Sequence, residues 1–232
     1  MEHHENRYRF AIASSQKWGH RLSKDILLRL PQAEIIEFVS KDELTLEALS
    51  AFLPSYVFFP HWSYLIPEKI FECFPCVIFH MSDLPFGRGG SPLQNLISRG
   101  IFDSKITALR CVKELDAGPV YMKRDFSLHG NAEEIYLRAM KVISQMIVEI
   151  VNDNPIPVQQ KGEVTVFSRR KPEQSNIVSI ECLEGLFHHI RMLDADGYPK
   201  AFFETDHFRL EFSRASFQDG KILADVEIME NK

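Results

Sequence analysis

The chain has 232 residues, 45% of them hydrophobic, which is enough for one large core or a core with a small second domain. Its net charge of -5 excludes a whole-chain basic field for nucleic acid. No apolar run reaches the length of a membrane span, and the opening Met1-Glu2-His3-His4-Glu5-Asn6 is too polar for a secretory signal, so a cytoplasmic protein with no membrane partner is expected. Cys73 and Cys76 form a C-x-x-C, but no second pair of Cys or His at ligand spacing follows. Cys73, Cys76, Cys111 and Cys182 therefore read as free thiols, and no metal is expected.

A first strand is expected over Arg7–Ala13, emptying into the polar loop 14–20. Leu22, Ile26, Leu27 and Leu30 then share a helical face that ends at Pro31. Glu34–Val39 reads as a strand, Leu44–Leu49 as a helix, and Tyr56–Phe59 as a buried strand leading into Pro60-His61-Trp62-Ser63-Tyr64. A helix starting at Pro67 and a strand over Cys76–Phe79 follow. This alternation predicts an α/β fold, a Rossmann-like open, mainly parallel sheet with helices on both faces. Two further strands are expected at Ile106–Val112 and Val120–Phe126, then a long helix over Ala132–Val151. The break at Asn152–Pro157 divides a main domain, residues 1–155, from a small β-rich C-terminal domain, residues 156–232. In that second domain a helix is expected over Leu183–Arg191, with short strands at 201–203, 208–212 and 222–226. Phe202, Phe203, Phe208 and Phe212 exceed what so small a core needs, which points to a homodimer.

The most informative stretch begins at Phe79-His80-Met81-Ser82-Asp83-Leu84-Pro85-Phe86-Gly87-Arg88-Gly89-Gly90-Ser91-Pro92. A histidine at the carboxyl end of a buried strand stands where open α/β sheets place their chemistry. Asp116, in Leu115-Asp116-Ala117-Gly118, is an acid on a second such loop, so the two read as an oriented acid/base pair. The bland alternatives are a core histidine at a strand end and a turn acid before a glycine.

His80-x-Ser82-x-Leu84-Pro85-x-x-Arg88-Gly89-x-x-Pro92 resembles the signature of formyltransferases that use 10-formyltetrahydrofolate, and Leu115-Asp116-Ala117-Gly118 resembles their second signature. The loop 60–67 is similar to their folate-side loop, and Arg169-Arg170-Lys171-Pro172-Glu173-Gln174-Ser175 resembles the start of their carboxyl-terminal domain. The resemblance covers nearly the whole chain. It implies His80 and Asp116 as catalytic residues, and Trp62, Ser63, Tyr64, Leu65, Ile66, Ala117 and Gly118 as contacts to the folate cosubstrate. Ser82, Arg88, Gln94, Asn95, Arg170, Arg191 and Tyr198 are implied as substrate contacts. For Arg170, Arg191 and Tyr198 docking of the tail onto the main domain is the slightly preferred reading, while Arg88 reads equally as a diphosphate contact or a solvated loop charge.

Within the family, the tail motif and Asp116-Ala117-Gly118 most resemble the sugar-nucleotide branch, and within that branch the stretch 79–97 resembles enzymes of pseudaminic acid synthesis. The expectation is therefore formyl transfer to the amine of a UDP-linked 4-amino-4,6-dideoxy sugar, with a sugar nucleotide and folate as partners and without nucleic acid. Two alternatives stand beside it. One is formylation of methionyl-tRNA, or another formyltransferase or formylfolate hydrolase reaction. The other is a folate or sugar-nucleotide binding protein that has lost catalysis. The last gains from one departure: the family places an Asn two residues before the His, and here that residue is Ile78. Losing one oxyanion donor costs about 2.7–4 kcal/mol. Gln94, Asn95 or a backbone amide near Met81 are the candidates to replace it.

Overall fold

A computed structural model describes residues 8–16 and 21–231. Arg7 and residues 17–20, which the strand and loop expectations include, lie outside the described residues. The chain folds into two compact units. The first takes in the described residues up to Arg88, with Lys105–Asp125 and Leu137–Thr165; the second comprises Gly89–Ser104, Phe126–Tyr136 and the described residues from Val166 onward.

The first unit carries a six-stranded sheet. Its strands are β1 (Arg9–Ala13), β2 (Glu34–Phe38), β3 (Tyr56–Phe59), β4 (Cys76–His80), β6 (Asp103–Arg110) and β7 (Val120–Ser127), in the order β2-β1-β3-β4-β6-β7. Strands β1 to β4 run parallel. Strand β6 runs antiparallel to β4, where sequence alone points to a parallel sheet. The sheet is nonetheless the mainly parallel, Rossmann-like one expected. Its crossovers are α1 (Leu22–Leu27), α2 (Leu46–Phe52) and α3 (Glu68–Cys73). Thr45 caps α2 by accepting from the Ala48 amide at 3.1 Å, a contact worth about 1 kcal/mol. Leu22, Ile26 and Leu30 are buried as expected, but α1 stops before completing the pattern and leaves Leu27 37% exposed.

The central strands are apolar throughout because both of their faces are covered. Register sets Ala11, Val57 and Cys76 side by side, and Ala13, Phe59 and Ile78 on the same face one step on. That face joins Leu49 and Ile70, from α2 and α3, in one buried cluster. The opposite face carries Phe10, Ile12, Phe58, Val77 and Phe79, all buried. Each such fully buried side chain is worth about 1.5–3 kcal/mol. His80 closes β4 on the face of Cys76 and Ile78, so the packing that holds the strand also fixes where its last side chain points.

In the second unit, β9 (Ala201–Glu204), β10 (Phe208–Gln218) and β11 (Lys221–Glu230) form an antiparallel sheet in the order β11-β10-β9, beside α6 (Leu183–Leu193). The β-rich tail expected from sequence is present, with β10 and β11 about twice the expected length. Phe202 is buried, while Phe203 and Phe208 are 36% and 46% exposed. The unit also holds α4 (Pro92–Ile97) and the short strand β8 (Val166–Phe167). Strand β8 pairs with β5 (Arg88–Gly89). The helix α5 (Ala132–Asp153) begins in this unit and continues into the first. No helix among the described residues is long and apolar enough to cross a membrane.

Candidate active site

His80 pairs with Thr107 across the β4–β6 register. The Thr107 hydroxyl donates to the Ser82 carbonyl at 2.7 Å, which fixes the first turn of the signature loop. The loop then folds back, and its Gly87 carbonyl lies 2.7 Å from His80 Nε2 and accepts from Ser82 Oγ at 3.4 Å. A carbonyl can only accept, so Nε2 carries the hydrogen of that contact. The other ring nitrogen, Nδ1, faces Asp116 Oδ2 at 3.5 Å, with both side chains only 7% exposed. The structure thus brings together the two residues whose loops lie far apart in sequence.

Other charges pin the loop from below. Lys123 binds Asp83 at 2.5 Å and also the Leu84 carbonyl, and Lys105 lies 3.4 Å from Asp83. Burial alone would raise the Asp83 carboxyl, but the two lysines hold it below its ordinary range. Behind the site Cys111 donates its amide to the Cys76 carbonyl at 2.8 Å. Burial pushes both thiols up, Cys111 to about 11, so neither supplies a thiolate near neutral pH.

The Asp116 turn is tightly built. Asp116 itself has a left-handed backbone (φ 52°), and Gly118 packs directly on the strand it follows. Gln160, from the segment after α5, donates its side-chain amide to the carbonyls of Asp116 at 2.8 Å and Gly118 at 2.9 Å. Its oxygen accepts from Arg88 Nε at 3.1 Å and Nη2 at 2.9 Å, while Arg88 Nη1 meets Glu114 at 3.3 Å. Sequence reasoning missed Gln160. It sits in a polar stretch with no periodicity, and its partners are main-chain carbonyls that leave no trace in a motif.

The loop 60–67, expected to face folate, forms a separate feature of the first unit. Ser15 Oγ donates to the His61 carbonyl at 3.0 Å and accepts from the Ser63 amide at 3.2 Å, which ties the ends of β1 and β3 together. That tie lies where the strand order reverses, the usual ligand position in open α/β sheets. Trp62, Ser63, Tyr64 and Leu65 line a cavity of about 540 Å³ with Lys41 and Asp42, a volume suited to a small molecule. His80 and Asp116 do not line it. Ile66 packs on the core cluster instead. Burial lowers the His61 imidazole to about 4.

The remaining residues read as substrate contacts are engaged within the protein. Ser82 is fully buried. In the second unit Gln94 Nε2 donates to Tyr136 Oη at 3.1 Å and to the Met192 carbonyl at 3.2 Å, and Tyr136 donates to Tyr198 at 2.9 Å. Asn95 Nδ2 donates to the carbonyls of Gly90, Ser91 and Ser168 at 3.0–3.1 Å. The Arg170 amide donates to Ser91 Oγ at 3.1 Å and its guanidinium to the Gln174 carbonyl at 2.6 Å. Arg191 is 2% exposed, with Nε on His188 and Nη1 on the carbonyls of Leu128 and Gly130. Gln94 and Asn95, considered as replacements for the missing oxyanion donor, therefore have their amide hydrogens committed to these partners.

Comparison with known proteins shows which branch this is. A solved structure, methionyl-tRNA formyltransferase from Clostridium thermocellum, is 49% identical, matches 97% of this chain and all of that one, and superposes with a TM-score of 0.93. The chain belongs to the methionyl-tRNA formyltransferase family. The sequence model of the methionyl-tRNA formyltransferase C-terminal domain matches residues 172–229. The methionyl-tRNA formyltransferase of Rickettsia felis is 26% identical over 178 residues, 71% of this chain and 58% of that protein. The chain spans about half the length of the curated relatives it matches. HypX from Aquifex aeolicus, solved in complex with tetrahydrofolic acid, is 18% identical over 92% of this chain and 40% of that one, with a TM-score of 0.73, and so shares the fold. Sugar N-formyltransferases share only the fold, at 17% identity or less. These relationships overturn the sugar-nucleotide reading and its pseudaminic acid assignment. The expectation that disfavoured nucleic acid as a partner loses its support with them. The motif around His80 resembles formyltransferases as a whole, and it did not separate the branches by acceptor.

Proposed function

We propose that this chain transfers the formyl group of 10-formyltetrahydrofolate to the α-amino group of methionyl-tRNA. The observation that carries the reading is the full-length similarity to the Clostridium thermocellum structure, combined with a buried His80–Asp116 pair at the carboxyl end of β4. The reaction forms a bond from the amine nitrogen to the formyl carbon and breaks the bond from that carbon to N10 of the folate. One proton moves from the attacking amine to the leaving nitrogen.

The chemistry asks for stabilisation of an oxyanion and for a proton path. Once Gly87 releases it, the His80 Nε2 hydrogen is aimed to donate to the formyl oxygen as it gains charge. Asp116 on the far side of the ring holds the imidazole in orientation and balances positive charge that develops on it, and it passes the amine proton through water to N10. Ile78 has no hydrogen to give, so the second oxyanion donor in this reading is a backbone amide near Met81. Ser63 and the cavity walls Trp62, Tyr64 and Leu65 bind the folate. Residues 172–229, with the basic run Arg169-Arg170-Lys171 just before them, meet the tRNA.

Incubation of the purified chain with 10-formyltetrahydrofolate and methionyl-tRNA tests this. The reading expects N-formylmethionyl-tRNA, detected by mass after nuclease digestion, in proportion to enzyme. Intact methionyl-tRNA after many enzyme equivalents would overturn it.

A further inference from the structure

We propose that Gln160 is the positioning residue of this active site, holding the Asp116 turn in the geometry that His80 needs. The inference rests on the formyl-transfer reading above and adds to it a residue outside both signatures. Gln160 carries two amide hydrogens and one carbonyl oxygen, and all of them are used. The hydrogens go to the carbonyls of Asp116 and Gly118, at either side of the turn. The oxygen takes two hydrogens from the Arg88 fork.

The orientation of the amide follows from its neighbours. Turning it over would set its NH2 against a guanidinium and its oxygen against two carbonyls, with no donor facing an acceptor. Arg88 therefore fixes the plane of the Gln160 side chain, and Gln160 fixes the turn. Arg88 is in turn oriented by Glu114. The backbone bearing Gln160 is fastened nearby, where Val120 and Val158 exchange amide hydrogen bonds of 2.7 and 2.8 Å. Asp116 needs such a restraint. It holds a left-handed conformation that is uncommon outside glycine, although an aspartate adopts it more readily than most residues, and its carboxylate must stay beside His80 Nδ1. The same arrangement gives Arg88 of the formyltransferase signature a task inside the protein, as the fork that aims Gln160.

The test compares wild-type protein with Gln160→Met, which removes every hydrogen bond at similar volume, and Gln160→Glu. The latter keeps the acceptor for Arg88 and removes both donors to the turn. Formyl transfer to methionyl-tRNA should lose about tenfold or more in kcat in both, with KM for each substrate within threefold. Nitrogen-15 resonances of the His80 ring, measured at one pH in folded protein, should shift in both variants. A residue that only supports the fold would leave those resonances in place. Unchanged ring resonances together with kcat within twofold of wild type would overturn the proposal. The ring resonances also separate the two claims: wild-type protein that fails to formylate methionyl-tRNA refutes the functional reading, while the His80 shifts still decide whether Gln160 positions the pair. Were Gln160→Met to fold poorly, Gln160→Glu, which retains the Arg88 contact, carries the same readouts.

Discussion

The carbonyl of Arg110 occupies the place that a side chain on Gly118 would take: a Cβ there would lie 1.8 Å from the oxygen. Strand β6 and the Asp116 turn thus touch main chain to main chain, and the turn cannot move away without carrying Asp116 from His80. Gly118→Ala should therefore cost about 1–3 kcal/mol of stability or more. In protein that stays folded it should lower kcat more than it raises KM. Thermal unfolding and steady-state formyl transfer check the two halves.

Ile78 gives a second test. It is half-buried on β4 and packed against the apolar cluster that includes Leu49 and Ile70. The account holds that its side chain takes no part in the chemistry. Ile78→Asn should then lower stability by about 1–3 kcal/mol, as a polar group enters apolar surroundings, without raising kcat/KM tenfold. A tenfold gain in folded protein would mean that the site lacks a donor after all.

Arg169 and Lys171 are exposed where the second unit's tail begins. If they meet the phosphates of tRNA, Arg169→Ala and Lys171→Ala should each raise the KM for methionyl-tRNA several-fold. They should also flatten its salt dependence and leave kcat and the folate KM unchanged. Assays between low and moderate salt read all three quantities.

His61 supplies a pH signature. Burial holds its folded-state pKa near 4, below the ordinary 6.5. The unfolded chain therefore binds a proton that the folded chain refuses between those values, and the slope of stability with pH is positive there. The contribution is fully present above about pH 6.5 and is lost as pH falls toward 4. Melting temperatures across that window should drop less steeply in His61→Asn, since asparagine tolerates the left-handed backbone at this position (φ 52°).

Much of the first unit was legible in sequence because its strands are buried on both faces. Tyr56-Val57-Phe58-Phe59 has no other reading, and the turn residues around it mark its ends. Strand β5 was not legible, since two residues carry no period. Strands β10 and β11 read as shorter than they are because Ser213-Arg214 and Glu227 interrupt their apolar pattern just where the expected strands stop. Their solvated faces and ion pairs, such as Arg214 with Asp225 and Lys200 with Glu227, accommodate those charges without ending the strands. Leu27 failed because α1 is too short to sustain its own pattern. At the site, the His80–Asp116 pair could be read from spacing and strand position. Gln160 could not, because what it recognises is two backbone carbonyls. The acceptor was misread for a different reason: the motifs that carried the resemblance are short, and the branch was decided by similarity along 97% of the chain to a methionyl-tRNA formyltransferase structure.

The most direct test of the central claim is the rate of formyl-methionyl-tRNA formation by wild-type protein and by His80→Ala under the same conditions. The account predicts measurable turnover by the wild type and a loss of at least about 10²-fold in the variant, with folate binding retained. Equal rates in the two proteins would remove His80 from the mechanism, and with it the paired role assigned to Asp116.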